Sequence, residues 1–168
     1  MTETLTVRPP AAHELPLLLE LVRELAVYER LEHELTATAA DFAAALLGPA
    51  RCAEAVFACL DGMPVGYALF FPSFSSFVGK PGIFLEDLFV RPAVRGRGIG
   101  KRLLAYLACS ALERGYARLE WAVLDWNEPS IGFYRRLGAV AQDDWTTYRL
   151  TGASLERLAA GDLRRRPP

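Results

Sequence analysis

Ile83-Phe84-Leu85-Glu86-Asp87-Leu88-Phe89-Val90, then Arg91-Pro92-Ala93-Val94, then Arg95-Gly96-Arg97-Gly98-Ile99-Gly100-Lys101 is the stretch whose reading decides the fold. Its first eight residues form an apolar run of strand length, broken by the adjacent carboxylates Glu86 and Asp87, and Arg91-Pro92 ends it. Beyond the glycines, Ile99, Leu103, Leu107 and Ala111 recur at helical spacing as far as Gly115. Three glycines between a strand and a helix let backbone amides approach a ligand without Cβ interference, and the helix N-terminus beside them favours an anion. The loop therefore predicts a phosphate cradle.

Upstream, residues 4–8 alternate weakly as a first strand, and Leu15, Leu18, Val22 and Leu25 mark a helix that tolerates Pro16 in its first turn. Thr38 caps a second helix with Asp41 as its third residue and Gly48-Pro49 as its stop. Residues 55–60 and 65–71, joined by Asp61-Gly62, read as a hairpin. Residues 72–82, which contain Pro72 and Gly82, read as an irregular aromatic loop before the strand at 83–90.

Downstream, residues 118–124 predict a strand, and Pro129 opens a short helix through Leu137 that Gly138 terminates. Residues 145–150 predict a late strand, 151–158 one or two turns of helix, and 162–168 a frayed end. This order implies an α/β (α+β layered) domain in which a mixed sheet is covered by helices.

A chain of 168 residues suits one core, and 52% apolar with 23% charged residues describes a folded globular protein. The formal charge of -1 supplies no electrostatic footprint for nucleic acid. Its longest apolar runs fall well short of the roughly 20 residues of a membrane helix, and no signal-peptide pattern precedes the first helix. These features predict a cytoplasmic protein without nucleic-acid or membrane partners. Cys52, Cys59 and Cys109 lack metal-ligand spacing and read as structural thiols, so no metal is expected.

The glycine loop lacks the Gly-Lys-Ser/Thr ending of a magnesium-nucleotide site, and its spacing is Gly-x-Gly-x-Gly rather than Gly-x-Gly-x-x-Gly. Only 68 residues follow Gly100, too few for a doubly wound dinucleotide fold. Carboxylates inside an apolar strand need a cleft or hydrogen-bonding partners, which makes Glu86-Asp87 the first local sign of function. On a regular strand the two point to opposite faces, a rule that a bulge relaxes.

Four segments together resemble the GNAT superfamily of N-acetyltransferases and, within it, the diamine and thialysine acetyltransferase branch. They are Glu24-Leu25-Ala26-x-Tyr28-Glu29, Leu85-Glu86-Asp87-x-Phe89-Val90, Arg95-Gly96-x-Gly98-Ile99-Gly100, and Trp126-Asn127-Glu128-Pro129-Ser130-x-x-Phe133-Tyr134-x-x-x-Gly138. The resemblance implies one catalytic domain over residues 1–150 with an extension at 151–168, a mostly antiparallel sheet with a strand pair splayed by the cofactor, and acetyl-coenzyme A as cosubstrate.

It further implies that the backbone of Leu88, Phe89 and Val90 runs beside the pantetheine arm. Arg95, Gly96, Arg97, Gly98, Ile99 and Gly100 would take the pyrophosphate, with Lys101 adding charge. Asn127 and Ser130 correspond to polar positions along the cofactor arm, although by themselves they read equally as a capped helix start. Tyr134 corresponds to the general acid facing the coenzyme sulfur, and on spacing alone it fits a core aromatic beside Phe133 as well.

An alkyl amine, with a pKa of about 10.4, must lose a proton before it attacks a thioester. The resemblance assigns that task to Glu86, through water. Tyr28, Glu29 and Glu32, with Glu86 and Asp87, become the substrate-binding set, although a solvated helix end explains the charges of the first three too. The implied acceptor is a small-molecule primary amine and the implied assembly a homodimer. Residues 72–82 carry Lys80 as their one charge, which disfavours long polyamines and leaves thialysine-like amino acids or small diamines. A peptide or antibiotic amine, or a non-catalytic acyl-coenzyme A sensor, are the alternatives.

Overall fold

The computed structural model describes residues 3–163, and the chain divides into two compact units, residues 1–122 and 123–168. The first holds a five-stranded sheet in sequence order, β1 (Leu5–Arg8), β2 (Glu54–Leu60), β3 (Met63–Ser75), β4 (Lys80–Val90) and β5 (Leu119–Trp121). Neighbours from β1 to β4 are antiparallel and β5 runs parallel to β4, so the sheet is mixed and mostly antiparallel, as expected.

Helix α1 (Leu15–Glu29) buries Leu15, Leu18, Leu21 and Leu25, one stripe at steps of three and four. That stripe packs on Phe57, Cys59, Tyr67 and Phe89 together with Leu46 of α2 (Ala39–Leu47). Thr38 caps α2 in a reciprocal box with Asp41, whose carboxylate accepts from the Thr38 amide at 2.8 Å. Alternation along β2 and β3 sends Val56, Ala58, Ala68 and Phe70 to the other face, where α3 (Ile99–Glu113) packs with Ile99, Leu103, Leu104 and Leu107.

The expected loop at 72–82 is instead mostly strand. β3 and β4 form one long hairpin paired from Gly66↔Val90 to Ser75↔Lys80, turning at residues 76–79. Both apparent breakers have other uses. β2 pairs with β3 no further than Phe70, so the missing amide of Pro72 falls on a sheet edge. A Cβ on Gly82 would lie 2.8 Å from the Arg118 side chain and 3.0 Å from the Arg118 carbonyl, so this glycine admits the chain entering β5 rather than making a turn.

The expected strand at 118–124 shortens to Leu119–Trp121, because its ladder with β4 stops at Leu85↔Trp121. In the second unit, α4 (Glu128–Arg136) forms as expected within a residue. Residues 145–150 join no ladder among the described residues and are exposed throughout, contrary to the expected strand. Alternation is only a propensity, and a strand requires an edge that takes its hydrogen bonds. The terminal helix α5 (Gly152–Leu163) runs 12 residues, longer than the expected turn or two. The expected fraying is not seen at 162–163, which lie in this helix, and residues 164–168 fall outside the described part.

Candidate active site

One irregularity in β4 builds the acidic part of the site. Leu69 pairs with Asp87 but the next residue of β3, Phe70, pairs with Leu85, so Glu86 is an extra residue in β4. This β-bulge transposes the faces. Leu85 joins Phe70 on the α3 side, whereas Asp87 joins Leu69, Tyr67 and Phe89 on the α1 side. A regular strand would have placed Asp87 with Leu85. Glu86 itself is exposed.

Asp87 accepts a hydrogen bond from the Tyr67 hydroxyl at 3.0 Å, and the Tyr67 ring, fully buried, lies tilted against Phe89 with centroids 6.4 Å apart. Burial pushes the Asp87 carboxyl up to about 6; the Tyr67 hydrogen bond opposes that rise, and the charges of Glu86 and Glu29 add to it. Glu29, the last residue of α1 and half-buried, is itself pushed up by burial. Tyr67 and Asp87 thus form a hydrogen-bonded pair on which the charge of Glu29 also acts, while Glu32 stands exposed in the turn after α1. Sequence reading passed over Tyr67 as part of an apolar run; its signal is a hydroxyl inside a buried strand.

Past Leu85, the remaining residues of β4, Glu86 to Val90, have no ladder to β5, which leaves that side of the strand open to a ligand's amide groups. Phe89 is buried in the core, so only its backbone faces that opening. The strand leads into the glycine loop. Gly96 and Gly98 adopt φ +79° and +78°, and nothing lies within 4 Å of where a Cβ would stand on either. Gly98 is the N-cap of α3, Ile99 anchors the helix in the core, and Lys101 is exposed on its first turn. The free space over these two glycines at a 15-residue helix's start suits a pyrophosphate.

The loop's first two arginines turn toward the protein. Arg95 donates from Nε to the Val90 carbonyl at 2.8 Å, with its guanidinium 4.7 Å from the Tyr28 ring centroid and 5.7 Å from that of Phe89. Arg97 pairs with Glu3. Arg91, which motif reading did not single out, forks onto Glu24 at 2.7 to 3.1 Å and reaches Glu20 at 3.0 Å. That fork accounts for Glu24 in the first motif: it ties α1 to the end of β4.

The second unit holds Asn127, Ser130 and Tyr134. Asn127 is buried, and its Oδ1 accepts from the Ser130 amide at 3.4 Å as the cap of α4. Tyr134 lies one turn beyond Ser130, its ring 5.3 Å from that of Phe133.

Residues 16–139 match the acetyltransferase (GNAT) family. The chain belongs to that family. As a GNAT member it is an acetyl-coenzyme A-dependent acetyltransferase. It is 35% identical over 153 residues to the thialysine N-epsilon-acetyltransferase of Bos taurus, a match covering 84% of this chain and 89% of that protein. It is 42% identical over 98 residues to the L-ornithine N5-acetyltransferase NATA1 of Arabidopsis thaliana, covering 58% of this chain and only 43% of that protein. Among solved structures, an integron cassette protein from the mobile metagenome of V. cholerae superposes with TM-score 0.77 at 25% identity, covering 92% of this chain and 97% of that one. Among the described residues no group of His, Cys, Asp or Glu is placed to hold a metal ion, and no helix is long and apolar enough to cross a membrane.

Proposed function

We propose that this GNAT enzyme acetylates the primary amine of a small cationic acceptor, a thialysine-like amino acid or a short diamine, within a catalytic domain spanning residues 1–150. The observation that carries this reading is the buried Asp87 carboxylate, held by Tyr67 on the strand that leads into the phosphate cradle, with the charge of Glu29 acting on it. A compact acidic site at the head of a cofactor strand suits one ammonium group better than a chain of them. The names of the thialysine and ornithine acetyltransferases among its relatives support the same acceptor class.

Acetyl-coenzyme A supplies an activated thioester. Its pyrophosphate is held by the amides of residues 95–100 with Lys101 alongside, its arm runs past Leu88, Phe89 and Val90, and Asn127 and Ser130 are its polar partners. Glu86, exposed to solvent, takes the proton from the acceptor's ammonium through water, and Tyr134 returns one to the departing sulfur. Tyr28, Glu29, Glu32 and Asp87 position the amine. The protein works as a cytoplasmic homodimer. Phe74, Phe77 and Val78, exposed about the β3–β4 turn, offer the apolar contact, and the free thiols of Cys52, Cys59 and Cys109 suit a reducing compartment.

A thiol-release screen over thialysine, lysine, ornithine, short diamines, spermidine, aminoglycosides and short peptides tests the acceptor class. The expected best acceptors are thialysine-like amino acids and short diamines. A clear peptide preference, or a best acceptor whose turnover is indifferent to Glu86→Gln, overturns the reading.

A further inference from the structure

We infer that Tyr67 is a positioning residue for this acetyl transfer, its hydroxyl holding the Asp87 carboxylate in the orientation that receives the acceptor's ammonium group. The inference rests on the functional reading above and adds to it a residue outside every motif that led there.

Geometry carries it. Tyr67 pairs directly with Phe89, and Asp87 lies two residues before Phe89 on the same face in the regular register that follows the bulge, so the phenol reaches the carboxylate diagonally across the hairpin. The ring is fully buried in the core under α1, where phenylalanine would fill nearly the same volume. Packing explains the ring and not the hydroxyl. A buried tyrosine hydroxyl needs a partner, and this one gives its proton to Asp87 at 3.0 Å.

The titratable and charged groups acting on Asp87 are Tyr67 from β3, Glu86 from its own strand and Glu29 from α1, while α3 packs on the opposite face. Both carboxylates disfavour its charge, as does burial; the Tyr67 hydrogen bond favours it. Tyr67 thus both orients Asp87 and keeps it ionised at a pH where an amine substrate is still cationic.

The test compares wild type with Tyr67→Phe, using the best acceptor from the screen. It reads kcat/KM for the amine against pH, acetyl-coenzyme A affinity by calorimetry, and the carboxyl-carbon NMR titration of Asp87, which needs no acceptor. Loss of one hydrogen bond to a charged group should raise KM for the amine by about 3- to 10-fold and move the acidic limb by about half to one pH unit toward higher pH. The Asp87 titration should move the same way, with acetyl-coenzyme A affinity held within about twofold because the hydroxyl is not part of the loop.

An unmoved limb with an unmoved Asp87 titration overturns the inference and leaves Tyr67 a packing residue. Should Tyr67→Phe fail to fold, 3-fluorotyrosine placed at position 67, a stronger hydrogen-bond donor of nearly the same shape, decides through the Asp87 titration. A shift toward lower pH supports the inference, and an unmoved titration overturns it. If the wild-type enzyme turns over no small amine, the functional reading fails and the inference with it, an outcome visible before any variant is made.

Discussion

Arg95, the first residue of the glycine loop, lays its guanidinium over the ring of Tyr28, the penultimate residue of α1, with Cζ 4.7 Å from the ring centroid. The same group bonds the Val90 carbonyl and faces Phe89, so one side chain joins the loop, the strand before it and the end of α1. An exposed cation–π contact contributes about 0.5–1 kcal/mol. Tyr28→Leu is therefore expected to weaken acetyl-coenzyme A binding by about 2- to 5-fold although Tyr28 lies outside the loop, and Arg95→Ala should raise KM for the amine as well as for the cosubstrate. Calorimetry on Tyr28→Leu, Arg95→Ala and the double variant checks this; strictly additive losses would show the two residues uncoupled.

Gly98 separates the conformational from the ligand-binding consequence of a methyl group. At φ +78° with open space around the Cβ position, Gly98→Ala clashes with nothing and should cost about 1–2 kcal/mol of stability from backbone strain alone. The methyl would stand over the amides proposed to hold the pyrophosphate, so acetyl-coenzyme A affinity should fall by more than about tenfold. Denaturant unfolding and calorimetric titration on the same sample compare the two losses. Unchanged affinity in a destabilised protein would remove the cradle from the loop.

Asp87 should leave its mark on stability against pH. Its carboxyl lies at about 6 in the folded protein against an ordinary 3.8, chiefly because burial disfavours the charge. The stabilisation this confers is complete below the unfolded value and is lost as pH rises through about 6, a swing of about 3 kcal/mol if the whole shift is expressed. Asp87→Asn, which has no charge to bury, should be more stable than wild type by about 1–3 kcal/mol at pH 8, with the gap closing toward pH 4. Urea unfolding at the two pH values reads the difference; a gap independent of pH would mean that Asp87 is not enclosed as described.

Tyr134 carries the proposed proton for the leaving sulfur. Tyr134→Phe should lower kcat by about 10- to 10³-fold with acetyl-coenzyme A affinity nearly intact, the range set by general acid catalysis. Single-turnover kinetics beside calorimetry separate the two effects. An unchanged rate would return Tyr134 to packing beside Phe133.

What the sequence by itself determined is local. The leucine stripe of α1, the Thr38–Asp41 capping box, the Asp61-Gly62 turn and the strand–glycine loop–helix order are written in residues a few positions apart, because helix faces, caps and tight turns close their hydrogen bonds within one or two turns of chain. Tertiary structure decided what depends on a distant partner. Residues 72–75 and 80–83 became the two arms of a hairpin because each takes the other's pairing, and 145–150 stayed outside any described ladder although their alternation is as strand-like. Asp87 came within reach of Tyr67 through the register of a ladder whose other strand lies about twenty positions away, and one extra residue, Glu86, put Leu85 on the opposite face. Arg95 folded back onto Tyr28, 67 positions earlier in the chain. Spacing along the chain states which side chains are available, but a bulge or a helix end that decides which of them meet is a property of register and packing.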